Sequence, residues 1–193
     1  GGAGIDELIG GSGDDYINPG DNTDFDYIEG GAGNDTIDLA DIQTGYVHLS
    51  YARLPSGIAV EINGVDPIGD ITKQTIGSDT INAIENALYA DGLGIVGTTF
   101  NDQFDVVVAK DQWMQIRAGD GVDAYSLMRD GKIRLDLQDG SEGINVDLTA
   151  RSIYNDGFGN SETYTGDFSE VRGTHHDDVI IGSSTENYEY FVL

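Results

Sequence analysis

Three stretches of this chain repeat one nine-residue pattern. Residues 1–9 read GGAGIDELI, 10–18 read GGSGDDYIN and 30–38 read GGAGNDTID, with glycine at positions one, two and four, an acid at six and a large apolar residue at eight. Residues 19–29, PGDNTDFDYIE, are a further copy stretched by two residues. The sixth-position acids are Asp6, Asp15, Asp26 and Asp35, each followed two places later by Leu8, Ile17, Ile28 or Ile37. Acid–x–apolar is too short for a helix and suits a brief strand with one inward side chain. A unit this small cannot bury its apolar residue alone, so the copies must stack. Two nonapeptides then make one coil of eighteen residues, with turns on alternating sides. The turn at 10–15 should lie beside that at 30–35, and the turn at 1–6 beside the stretched turn ending at Asp26.

The pattern has a chemistry of its own. Glycines at positions one, two and four permit positive φ, so that carbonyls can turn toward a common centre. One carboxylate joins them per turn. Ca²⁺ takes 6–8 oxygen ligands, more than one six-residue turn readily supplies, and two stacked turns can share an ion. The composition agrees. Asp outnumbers Glu by 26 to 9, and Asp favours turns and hard-cation sites where Glu favours helices. With 9 Lys and Arg against 35 acids, the net charge of -26 would repel the chain into disorder without counter-charge. It also disfavours nucleic acid, whose phosphates need clustered Lys and Arg. Cysteine is absent, which excludes a disulfide frame, a thiolate metal site and a cysteine nucleophile.

The nonapeptide GGxGxDxUx, with U a large apolar residue, resembles the calcium-binding repeat of the repeats-in-toxin (RTX) proteins. The resemblance is close over residues 1–40 and looser beyond. It implies an all-β fold, a parallel β-roll or β-helix solenoid with calcium-binding turns. It also implies position-six Asp ligands and structural, non-catalytic Ca²⁺. The candidate ligand set is Gly1, Ala3, Asp6, Gly10, Ser12, Asp15, Gly30, Ala32 and Asp35 in the regular turns. Asp24 and Asp26 stand in the stretched turn, where Asn22 is an alternative to Asp24 and a bulged turn that binds nothing is the competing reading. Asp123, at position six of AGDGVD, completes the set.

Past residue 40 the nonapeptide decays and a longer repeat takes over. YVHLSYARLPSGIAVEI (46–62) aligns without gaps to KIRLDLQDGSEGINVDL (132–148), GTTFNDQF (97–104) to GTHHDDVI (173–180), and GGAGNDTIDL (30–39) to AGDGVDAYSL (118–127). The chain thus divides into a regular roll, 1–40, and a degenerate continuation, 41–193, holding two related units of roughly 80–90 residues. Apolar residues alternate along 47–51, 58–62, 133–137 and 144–148, which predicts half-buried strands. His48 falls on the outward phase and is expected to be solvated. Residues 79–89 predict one turn of helix or another coil. At Asp102 and Asp178 the turns lose their template glycines, so those acids either hold a cation or cap the turn through backbone hydrogen bonds.

Nothing in the sequence marks a catalyst. There is no HExxH and no GxSxG, adjacent His175 and His176 face opposite ways on any strand, and the carboxylates fall in turns that already explain them. The expectation is a non-enzyme: a calcium-binding structural module of a type I secreted extracellular, cell-surface or assembly protein, such as an adhesin or surface-layer protein, which folds on meeting Ca²⁺. The alternative is a carbohydrate-binding or accessory module of a secreted polysaccharide-modifying enzyme such as an alginate epimerase. Trp113, Tyr188 and Tyr190 are its candidate sugar platform, against the simpler reading that they pack as rungs. Expected partners are calcium ions, neighbouring rungs or subunits of a parent assembly, and glycans. Membrane insertion is not expected, since the longest apolar run, Val106–Ala109, is far short of the ~20 residues of a membrane helix. The chain reads as a piece of a longer protein. Its last residues fit either a rung with Asn187 at position six or the end of a type I secretion signal.

Overall fold

The structure, a computed structural model, describes residues 1–20, 24–183 and 190–192. In chain order its elements are β1 (Glu7–Ser12), β2 (Tyr16–Ile17), β3 (Phe25–Ala32), β4 (Thr36–Asp38), β5 (Tyr46–Ser50), β6 (Ala59–Asn63), β7 (Ile68–Lys73) and β8 (Gly77–Asn82), then the helix α1 (Ile84–Tyr89). They continue as β9 (Gly92–Val96), β10 (Gln103–Val108), β11 (Trp113–Arg117), β12 (Ala124–Arg129), β13 (Lys132–Asp136) and β14 (Asn145–Asp147). The last are β15 (Ser152–Asn155), β16 (Glu162–Thr165), β17 (Glu170–Arg172), β18 (Val179–Ile181) and β19 (Tyr190–Val192). Among the described residues the protein is all-β apart from α1.

Two sheets divide the strands. The first runs β1-β3-β5-β9-β11-β13-β17-β19, and every neighbouring pair is parallel. The second runs β18-β14-β15-β16-β12-β10-β6-β7-β8-β4-β2. Leu8 pairs with Ile28 and Ile28 with Leu49, while Tyr16 pairs with Thr36. The first coil is therefore two residues longer than the expected eighteen, because the stretched copy contributes its extra pair. The position-eight residues Ile17, Ile28 and Ile37 point inward, with Leu8 partly buried beside them. Val47 and Leu49 of the first sheet and Val60 and Ile62 of the second extend the same core.

Beyond residue 40 the second sheet is not purely parallel, a correction to a fully parallel stack. β7 runs antiparallel to both β6 and β8, and β15 antiparallel to both β14 and β16. The outer members of each triplet rejoin the parallel ladder: β8 on β4 and β6 on β10, β16 on β12 and β14 on β18. The triplets hold equivalent places, so the 46–62 to 132–148 alignment is a repeat in three dimensions too. Tight turns cause the reversal. Asp66 N–H donates to Asn63 O at 2.9 Å and Ile76 N–H to Lys73 O at 2.8 Å, closing hairpins where a crossover would keep the strands parallel.

The stretch 79–89 splits. Asp79 and Ile81 face inward in β8, and helix starts only at Ile84, after Ala83 turns left-handed at φ 54°.

Candidate metal centres

In the regular turns, positive φ falls at position two (Gly11, Gly31) and position four (Gly4, Gly13, Gly33), not at position one. The first glycine is needed for room instead. A Cβ on Gly10 would stand 2.6 Å from both Asp15 Oδ2 and the Gly30 carbonyl oxygen. A carboxylate and a carbonyl thus converge where any side chain would intrude.

The expected neighbours are neighbours. Asp15 N–H donates to Asp35 Oδ1 at 3.0 Å, and Asp6 N–H to Asp26 Oδ1 at 3.0 Å. Ser12 pairs with Ala32, whose carbonyl accepts from Gly13 N–H at 2.8 Å. Asp6 accepts from Gly2 N–H at 2.8 Å, the Gly1 ammonium donates to Asn18 O at 3.0 Å, and Ala3 is exposed. The Asp24 carbonyl accepts from Tyr46 N–H at 2.9 Å. Asn22, Asn187 and Tyr188 lie outside the described residues, and so does the Tyr190 side chain. Asp26 and Asp35 therefore each spend one oxygen on the backbone of the turn beside them. The second oxygens of Asp15 and Asp26 are buried with no hydrogen-bond partner. An orphan carboxylate oxygen among carbonyls on glycine backbone fits an all-oxygen, anionic site for a hard cation. Among the described residues no three His, Asp or Glu side chains converge as a metal cluster, so backbone oxygens must supply much of any coordination.

Asp35 differs, because its second oxygen is taken. Lys73, with its side chain fully buried, donates from Nζ to Asp35 Oδ2 at 2.9 Å, to the Gly31 carbonyl at 2.8 Å and to Asp79 Oδ1. A covalently tethered cation thus sits against the glycine turn. Asp35 N–H donates in turn to Asp79 Oδ1 at 3.1 Å, continuing the carboxylate ladder into β8. Burial pushes the Asp79 carboxyl up, against the pull of Lys73. Sequence reading missed both residues, although GSDTIN (77–82) is close to GNDTID (33–38).

Where the first unit meets the second, Asp102 N–H donates to Asp123 Oδ1 at 2.8 Å, and within the second Asp123 N–H donates to Glu162 Oε1 at 3.2 Å. Asp123 and Glu162 are 4% and 5% exposed. Burial, with neighbouring acids, raises Asp123 to about 8 and Glu162 to about 7.

Asp102 and Asp178 behave as turn caps. Asp102 accepts from Thr98 N–H at 2.6 Å, Thr98 Oγ1 at 3.0 Å and Ile58 N–H at 2.7 Å. Asp178 accepts from Thr174 N–H at 2.9 Å, Thr174 Oγ1 at 2.8 Å and Ile144 N–H at 3.0 Å. A threonine hydroxyl takes up the carboxylate that the template glycines would leave open. His175 and His176 are exposed in that turn.

His48 is 8% exposed, which overturns the solvated expectation. Tyr27, Phe25 and Tyr46 rings surround it at 5.6–6.0 Å, and Gly94 beside it on β9 has no side chain to hold them off. Burial, then the nearby Arg117, lowers its pKa to about 4. Trp113 lies on the same outer face, 5.6 Å from Tyr46, with the Arg134 guanidinium 4.9 Å over its ring.

Comparison of the chain with models of known protein families, with curated proteins and with solved structures gives no match.

Proposed function

We propose that this chain is a calcium-binding structural module, a β-solenoid of the RTX kind, belonging to a secreted, cell-surface or assembly protein and completed by Ca²⁺. The observation that carries the reading is the orphan Asp15 Oδ2, buried beside the Gly30 carbonyl in a turn whose first glycine leaves no room for a side chain. A buried carboxylate oxygen without a partner is costly, and a bound cation removes that cost. Asp15 with backbone carbonyls of 10–12 and 30–32 would hold one ion, and Asp6 with Asp26 would serve a second. When bound, the ion supplies positive charge that ties adjacent turns together. Binding to the folded state alone makes metal affinity into folding free energy.

The test is the melting temperature and hydrogen exchange of the chain in calcium and in excess chelator. Chelator should lower the melting temperature and strip protection from residues 1–38 first, while β9, β11 and β13 stay protected. An unchanged melting curve and unchanged exchange in chelator would sink the proposal.

One observation favours a second reading, a carbohydrate-binding surface. Phe25, Tyr27, Tyr46 and Trp113 line the outer face of the first sheet beside the bare backbone of Gly92 and Gly94. Flat aromatic faces suit pyranose rings. The face's cations are already matched: Arg117 pairs with Asp136 at 2.9 Å and Arg134 with Glu170 at 2.7 Å. Neutral glycans therefore fit better than anionic ones. A glycan array in calcium should show binding that Trp113→Ala abolishes; no binding by the folded chain eliminates this reading.

A further inference from the structure

The two repeat units differ at one buried point. Asp35 falls in register with Asp79, one step from Thr36↔Thr80, and Asp123 with Glu162, two steps from Tyr125↔Tyr164, beyond Ala124 and Thr163. The turns preceding them share their backbone path. Gly31 and Gly33 have φ of 94° and 119°, and Gly119 and Gly121 have 102° and 132°. Between Asp35 and Asp79 sits the ammonium of Lys73. By the pairing of β7 with β8 and of β15 with β16, the residue in the place of Lys73 is Asn155. Asn155 is turned away, accepting from Gly157 N–H at 2.8 Å and donating to Glu142 at 3.0 Å. No salt bridge reaches Asp123 or Glu162 among the described residues.

Both second-unit carboxylates are more than nine-tenths buried, and Asp123 Oδ2 and Glu162 Oε2 lack hydrogen-bond partners. Asp156, 1% exposed, adds a third acid close enough to act on both. Its own oxygens are engaged by Phe158 N–H, Asn160 N–H and the Asn160 side chain at 2.9–3.0 Å. A groove of about 430 Å³, lined in part by Asp123, Ser152, Tyr154 and Glu162, leads to the pair.

We propose that Asp123 and Glu162 form a divalent cation site, with Ca²⁺ taking the place that the Lys73 ammonium fills in the first unit. One unit carries its cation on the chain; the other recruits it from solution. The Gly119 carbonyl, counterpart of the Gly31 carbonyl that Lys73 uses, is the backbone donor. Only oxygens face the ion, which selects a hard cation over a transition metal. The proposal deepens the calcium reading but stands on residues outside the regular nonapeptide turns.

The experiment counts bound ions on the whole chain by equilibrium dialysis with radioactive calcium, comparing wild type, Glu162→Gln and Asp15→Asn. Glu162→Gln should lose one ion per chain and Asp15→Asn should leave that ion bound. If Asp15→Asn loses nothing while Glu162→Gln loses one, the regular-turn reading fails and this site stands. An unchanged count in Glu162→Gln overturns the site and means that the two carboxyls are kept neutral by protons. Circular dichroism in calcium reports whether the variant folds. Should it not fold, anomalous scattering from a wild-type crystal soaked in terbium decides: a peak between Asp123 and Glu162 is expected, and its absence overturns the proposal.

Discussion

At Lys73 a single side chain holds a turn carbonyl and two carboxylates, with all three side chains out of contact with water. Removing one member of a buried ion pair leaves the others uncompensated, typically at a cost of about 3–5 kcal/mol. Lys73→Met keeps the length and apolar stem but deletes the charge. Measured by urea unfolding in calcium-free buffer, it should lose about 3 kcal/mol or more, and far more than substitution of exposed Lys110. A loss below about 1 kcal/mol, the range of surface pairs, would mean that Asp35 and Asp79 do not depend on the ammonium. Asp102 and Asp178 show the same requirement met differently, since Thr98 and Thr174 hydroxyls cap them without any cation.

Strands whose inward face is wholly apolar were legible in the sequence, and strands whose inward face carries polar residues were not. β5, β6, β13 and β14 announce themselves by Val47/Leu49, Val60/Ile62, Ile133/Leu135 and Val146. β7 buries Gly69, Ile71 and Lys73, and β16 buries Glu162 and Tyr164, so neither shows an apolar alternation. Their inward polar residues answer each other across the ladder rather than meeting a hydrophobic face. That is also why half of the candidate site was hidden. Asp15, Asp26, Asp35 and Asp123 were readable from the beat of the turns, and Asp79 only from the likeness of GSDTIN to GNDTID, whereas Lys73 and Glu162 arrive on hairpins whose register no local pattern reveals. The outer face of β5 failed for a related reason. Alternation predicts exposure for His48, but Gly94 on β9 lets neighbouring rings close over it.

Over the whole molecule, acidity and fold oppose each other, and the opposition has a pH signature. Asp123 is raised to about 8 and Glu162 to about 7, and Asp79 and Asp102 are raised as well, in every case chiefly by burial. In the unfolded chain these carboxyls return to about 4. Between those values the folded state binds more protons than the unfolded, so the stability contribution is complete below about pH 4 and is lost as pH rises toward 8. Repulsion within a chain of net charge -26 acts in the same direction. Calcium acts in the opposite one, because it binds the deprotonated carboxylates and so gains hold as pH rises. In chelator the melting temperature should therefore fall steadily from pH 5 to pH 8, and in millimolar calcium the fall should flatten or reverse. Thermal unfolding by circular dichroism across that range, with and without calcium, gives both curves. A melting temperature that climbs with pH in chelator would mean that the buried carboxyls are ionised and partnered in the metal-free fold, and that these acids are not what makes the fold depend on a cation.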